Sequence, residues 1–218
     1  MHRLLEGYAR FRTSVFPKLA PEFERLSHGQ SPEALLITCS DSRVMPEMLL
    51  QSDPGVVFPI RVAGNLVPPP GNDPSGIAAT IEYAVRVLKV SEVIVCGHSG
   101  CGAIKELLEQ AHANELPDVT SWLSHAGVSA KWLRGTFTEI GGMSPERQLA
   151  LMTEANVLTQ LDHLRHHAAV RDGLREHKLR LHGWVYEIAT GEIRSFDDHT
   201  GRFEPLDAKV TDLLKRVA

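Results

Sequence analysis

The chain has 218 residues, 43% of them hydrophobic and 23% charged, with 23 Lys and Arg against 27 Asp and Glu and a net charge of −4. That length supports one domain with a full core, and the acidic balance excludes a general electrostatic reason to bind nucleic acid or an anionic membrane. No apolar run reaches membrane-span length, the start "MHRLLEGYARF" lacks a secretory apolar region, and three cysteines make no disulfide framework, so a cytoplasmic setting is expected.

In "HRLLEGYARFRTSVF", Leu4, Leu5, Tyr8, Phe11 and Val15 fall at helical spacing, which predicts an amphipathic helix covering the core or clasping a partner. "EALLITC" and "GVVFPIRVAG" are strand candidates, the second weakened by Pro59. The Pro- and Gly-rich "NLVPPPGNDPSG" is a loop, and Asp73-Pro74-Ser75 opens a helix through "SGIAATIEYAVRVLKV". "SEVIVCG" is a third strand and turns at once into the helix of "GHSGCGAIKELLEQ". Ser144-Pro145-Glu146 opens a further helix, "RQLALMTEANVLTQLDHLRHH". "LRLHGWVYEIATGEIRSFD" reads as two strands around Ala189-Thr190-Gly191. The alternation predicts an α/β fold, with a central mostly parallel sheet, flanking helices and a C-terminal antiparallel strand. No linker divides residues 1–218, and residues 1–25 form a helical arm.

Two motifs stand at strand ends, where ligands gather in such sheets. In "ITCSDSRV", Cys39, Asp41 and Arg43 share one parity and so one face of an extended segment. In "CGHSGCGA", His98 and Cys101 are three apart where a turn enters a helix, and Gly97, Gly100 and Gly102 permit tight turns and close approach. Two thiolates and one imidazole from Cys39, His98 and Cys101 are a soft set suited to Zn2+, and three protein ligands leave a fourth, catalytic position. Cys96 could supply a fourth thiolate but reads better as a core residue. His163, His166 and His167 have metal-site spacing on a helix, yet read better as an exposed face.

Taken with "RVAGN", "IEYAVRVLKV" and the C-terminal "LHGWVYEIATGEIRSFD", these motifs resemble the β-class carbonic anhydrases over most of the chain. The resemblance implies one zinc per chain on Cys39, His98 and Cys101, with zinc-bound hydroxide attacking carbon dioxide, oriented by the catalytic pair Asp41 and Arg43. Asp41 becomes a fourth ligand only in a closed form that some members adopt at lower pH. Leu36 stands where members with a noncatalytic bicarbonate pocket carry tryptophan, and Gln30 stands where open-site members carry glutamine. The same likeness places Gln30, Phe58, Ala63, Tyr83 and Gly102 around the substrate, while Arg61 and Asn65 brace the loop beside the site. It also implies a homodimer, extending to a tetramer or larger, with pocket residues crossing the interface and the N-terminal helix packed on its neighbour. Alternatives on the same scaffold are a carbonyl sulfide or carbon disulfide hydrolase, and a noncatalytic zinc- or bicarbonate-binding protein.

Overall fold

The computed structural model describes residues 1–71, 75–112, 114–126, 142–207 and 210–211. Its centre is a six-stranded sheet of β1 (Ala34–Thr38), β2 (Val57–Arg61), β3 (Glu92–His98), β4 (Arg180–Tyr186), β5 (Ile193–Asp197) and β6 (Arg202–Pro205). The strand order is β2-β1-β3-β4-β5-β6. β1 pairs in parallel with β2 and β3, and β3 with β4. β4–β5 and β5–β6 are antiparallel. The mostly parallel sheet is thus as expected, but it closes with two antiparallel strands rather than one. Pro59 sits in β2, at the sheet's edge, where a missing N–H leaves no neighbour unpaired.

The helices are α1 (His2–Arg10), α2 (Phe16–Leu26), α3 (Pro46–Leu50), α4 (Gly76–Glu82), α5 (Gly102–Glu109), α6 (Pro117–Leu123), α7 (Pro145–His166) and α8 (Ala168–Arg175). Two predicted start signals act as caps: Ser75 Oγ accepts from the Ala78 N–H, and Ser144 Oγ accepts from the Arg147 N–H. Asp73 and Pro74 of the first signal lie outside the described residues. A wide turn, Tyr83–Val87, prolongs α4, with the Leu88 N–H donating to the Tyr83 carbonyl five residues back. The hairpin at Ala189-Thr190-Gly191 closes through Glu187, which exchanges backbone hydrogen bonds with Gly191 and Glu192.

The main core lies between the sheet and α7, where Val157, Leu161 and Leu164 meet Leu35, Ile37, Val93, Val95 and Val185. The strands are nearly continuous apolar runs because both faces are covered where they are parallel. α7 lies so close that glycine is needed beneath it. A Cβ at Gly97 would stand 2.9 Å from Val157 Cγ2, and one at Gly183 would stand 2.9 Å from Val157 Cγ1 and 3.0 Å from Leu161 Cδ1. The opposite face carries a smaller cluster of Leu36, Ile94 and Cys96, with Trp184 and Tyr186 partly buried beside it.

The core-covering reading of the first helix is overturned. Leu4, Leu5 and Tyr8 are 72%, 59% and 62% exposed, and no residue of α1 is buried. The apolar stripe is real, and among the described residues it stays uncovered. Among the described residues, no helix is long and apolar enough to cross a membrane.

The close approach under α7 is testable. Gly183→Ala is expected to destabilise the fold by about 1–3 kcal/mol through overpacking, read as a lower urea midpoint. Val157→Ala in the same chain should recover part of that loss.

Candidate metal centre

From β1 the chain crosses to β2 on one side, and from β3 it crosses to β4 on the other. The carboxyl ends of β1 and β3 therefore open a crevice at the switch point of the sheet. Cys39 follows β1 directly, His98 is the last residue of β3, and Cys101 precedes the first residue of α5. Register and topology thus bring together residues 62 apart in the chain. All three are buried, and their ligand atoms lie within 4.8 Å of one another; among the described residues this is the group able to hold a metal ion. The two sulfurs are 3.9 Å apart.

The donor set is prepared for a cation. His98 Nδ1 lies 3.0 Å from the Ser99 carbonyl, which can only accept, so the proton sits on Nδ1 and Nε2 carries a lone pair. Nε2 is fully buried and has no hydrogen-bond partner. A buried orphan acceptor is costly, and a metal ion removes that cost. The Cys39 thiol is pulled well below its usual pKa by the Cys101 thiol, with His98 and the backbone assisting against burial. Cys101 is pushed up by its neighbour Cys39 and by burial. A divalent cation would hold both sulfurs as thiolates. Cys96 stands apart, packed with Leu36 and Ile94, and burial pushes its thiol up to about 12.

Beside the sulfurs, Asp41 and Arg43 form a forked pair. Arg43 Nε donates to Asp41 Oδ1 at 2.9 Å and Nη2 to Oδ2 at 2.7 Å, while the Arg43 backbone N–H donates to Oδ1 at 3.0 Å. Nη2 also donates to the Gly100 carbonyl, tying the two motifs together. These bonds hold the Asp41 carboxyl well below the usual carboxylate range, against a smaller effect of burial. Its Oδ2 lies 3.8 Å from His98 Nε2, so the ionised group faces the ligands while Arg43 restrains it. Arg61 braces the loop as expected, donating to the carbonyls of Cys39, Asp41 and Val44.

The other expected site residues are scattered. Ala63 precedes Gly64, whose N–H donates to Cys39 Sγ at 3.4 Å. Gly102 opens α5, but a Cβ there would meet nothing within 4 Å, so close packing is not what glycine serves at this position. Phe58 and Tyr83 stand together, ring centroids 6.3 Å apart. Gln30 lies in a recess of about 430 Å³ with Phe23, Leu26 and Pro54. These contacts do not carry Gln30, Phe58 or Tyr83 to the metal ligands.

Several residues near the centre escaped the sequence reading. Trp122 Nε1 donates to the Ala63 carbonyl at 2.8 Å, and Asn156 Nδ2 to the Gly64 carbonyl at 3.0 Å. Gln160 donates to Asn156 Oδ1 and accepts from the Val67 N–H. Histidines 163 and 167 bond the carbonyls of Val67 and Pro68. The exposed-face reading is therefore corrected: His167 is only 7% exposed and His163 partly buried, because both serve backbone, and only His166 lies on the exposed face. The available signal was Asn156 and Gln160 set among the apolar positions of α7.

Comparison with known proteins decides the family. A family model described as carbonic anhydrase matches residues 34–193. A carbonic anhydrase of Pseudomonas aeruginosa is 41% identical over 94% of this chain and 92% of its own length. Carbonic anhydrase 1 of Escherichia coli O157:H7 is 41% identical over 95% and 93%. Among solved structures, the β-carbonic anhydrase CcaA superposes with a TM-score of 0.90 at 39% identity, covering 94% of this chain and 98% of that one. The chain belongs to the β-carbonic anhydrase family. A neighbour from Sordaria macrospora, described as tetrameric, has a TM-score of 0.78 at 28% identity, covering 89% and 95%. In this β-carbonic anhydrase, the Cys39–His98–Cys101 donor set and the orphan Nε2 fit a metal of zinc's preferences.

Metal analysis of single variants tests the ligand set. Cys101→Ala is expected to lose bound zinc, whereas Cys96→Ala should retain it at the parent's stoichiometry. Equal loss in both would place Cys96 in the centre.

Proposed function

We propose that the chain catalyses the reversible hydration of carbon dioxide to bicarbonate and a proton, with one zinc ion per chain on Cys39, His98 and Cys101. The observation that carries this is the fully buried His98 Nε2, without a hydrogen-bond partner and gathered with two sulfurs, beside a carboxylate that Arg43 keeps ionised. A zinc ion held there lowers the pKa of water toward neutrality and so supplies the nucleophile.

The chain's own groups do the rest. Asp41 accepts a hydrogen bond from the attacking water or hydroxide and aims its lone pair at carbon. Arg43 fixes that carboxylate by two forked bonds, a geometry a lysine could not reproduce. Its further bond to the Gly100 carbonyl keeps Asp41 from swinging onto the metal, so the open form is the resting one. The Gly64 N–H withdraws charge from Cys39 Sγ, offsetting part of the donation by which two thiolates weaken a Lewis acid. The leaving proton passes to solvent. A bare zinc scaffold would not need the restrained Asp41–Arg43 pair, and this favours catalysis over simple binding.

The pocket is completed by a second copy in this reading. Leu4, Leu5 and Tyr8 on α1 and Tyr83 and Val87 beyond α4 are exposed apolar groups that a homodimer would cover, with the 1–25 arm on its neighbour. Gln30, Phe58 and Tyr83 would then line the neighbour's site, Gln30 holding a substrate oxygen, with Ala63 and Gly102 contributed from the same chain as the ligands. Pairing of dimers would give the tetramer. The three free thiols suit the cytoplasm.

Three experiments test this. Stopped-flow assays across neutral and mildly alkaline pH should show carbon dioxide hydration exceeding hydrolysis of carbonyl sulfide and carbon disulfide. The reverse ranking would assign the sulfide substrates, and full zinc with no hydration would leave a binding protein. Because pairing depresses the folded-state pKa of Asp41, its stabilisation is present above the ordinary carboxylate pKa and is lost as pH falls through the depressed value. Arg43→Met should raise that pKa toward the ordinary range and lower kcat/KM about 10–100-fold with zinc retained. For the dimer, Leu5→Glu with Tyr8→Glu should shift sedimentation toward a smaller species and reduce activity together.

A further inference from the structure

The backbone of Gly64 is gripped on three sides. Its N–H donates to Cys39 Sγ at 3.4 Å. The carbonyl of the same peptide unit belongs to Ala63 and accepts from Trp122 Nε1 at 2.8 Å. Gly64's own carbonyl accepts from Asn156 Nδ2 at 3.0 Å, and Asn156 is held in turn by Gln160 Nε2 at 2.9 Å. Gly64 itself has φ 69°, and a Cβ would stand 3.3 Å from Ala103 Cβ, so both conformation and space favour glycine.

An amide carries its N–H and C=O at opposite ends, so a donor on the oxygen polarises the N–H at the other end. The indole N–H, the Ala63–Gly64 peptide and the Cys39 sulfur therefore form one aligned relay. The sulfur's hydrogen bond is fixed by an element, α6, that contributes no ligand. Satisfying buried backbone would explain Asn156 and Gln160, which are 1% and 0% exposed. It does not by itself explain why Trp122, which is only partly buried, is bonded to the peptide whose N–H donates to Cys39 Sγ.

We infer that Trp122 and Asn156 are positioning residues for the metal centre, Trp122 polarising the Ala63–Gly64 peptide at its carbonyl and Asn156 fixing the next peptide at the Gly64 carbonyl, so that the Gly64 N–H stays aimed at Cys39 Sγ and draws charge from it. This rests on the zinc-site reading above. It assigns the strength of the metal–sulfur bond to residues that touch neither metal nor substrate. Trp122→Phe leaves an aromatic ring on the side chain that meets His125 and removes the donor along with the pyrrole ring that carries it.

The test loads metal-stripped wild-type protein, Trp122→Phe, Asn156→Ser and a core-trimming control, Leu174→Ala, with cobalt(II), recording the sulfur-to-cobalt charge-transfer band. Zinc retention is measured against a chelator, with folding checked by circular dichroism. With less charge drawn from sulfur, the band should move to lower energy in Trp122→Phe and Asn156→Ser; with the Cys39 thiolate less stabilised against protonation and its loop less firmly held, zinc affinity should fall about 10–100-fold. Leu174→Ala should change neither. Unchanged bands and affinity in both variants, or the same shift in Leu174→Ala, would overturn the inference while leaving the zinc reading intact. Absence of thiolate bands in the wild type would instead overturn the zinc reading, and the inference with it. Independently of any variant, the Gly64 amide of the loaded wild-type protein must exchange slowly with solvent deuterium, and free exchange there would also overturn the inference.

Discussion

Three soft ligand atoms can meet within 4.8 Å in full burial only because the chain leaves the carboxyl ends of β1 and β3 in opposite directions. Everything at the centre depends on that parting. It opens a cleft without breaking a strand, so each ligand is carried on, or directly beside, a rigid element. The cost is irregular backbone in the interior, since residues 64–67 are buried and lie outside the sheet. Buried amides must find partners, and α7 with its C-cap residue His167 supplies them through Asn156, Gln160, His163 and His167. The same helix covers the core with its apolar stripe. Its approach is close enough to require glycine in β3 and β4, which places those polar groups within reach of the loop.

Charge at the centre is arranged by degrees of freedom removed rather than by charges added. Nδ1 of His98 is committed to a carbonyl, which fixes the tautomer. Both oxygens of Asp41 are committed to Arg43, and Arg61 binds three carbonyls of the loop that carries them. What is left without a hydrogen-bond partner there is one nitrogen lone pair, gathered with two sulfurs. A cation therefore enters a frame already set, and little reorganisation accompanies binding or turnover.

The fold class and the Cys39–His98–Cys101 cluster able to hold a metal were legible in the sequence for a physical reason. Cysteine and histidine at strand ends have few rival explanations, and strand runs covered on both faces advertise themselves. What stayed hidden depended on partners that side-chain patterns do not encode. The stripe of Leu4, Leu5 and Tyr8 marks an apolar face but not whose surface covers it, so the core-covering reading failed. His163 and His167 looked solvent-facing because their partners are carbonyls of an irregular segment nearly a hundred residues away. Trp122 carried no motif at all. β6 is four residues ending in proline, too short to show a period.

The distance in sequence between the two sulfurs has a consequence for how the molecule is made. Cys39 and Cys101 are separated by 62 residues, and closing that span costs chain entropy before any contact across it is gained. β1 and β3 must already be in register, residue for residue from Ala34 opposite Glu92 to Thr38 opposite Cys96, before three ligands exist in one place. A metal held by these three residues would therefore find its full site only after the strands pair, and would deepen the native well by mass action, with the logarithm of its free concentration. Metal supply should thus govern how long the folded protein lasts, while strand pairing governs how fast it forms.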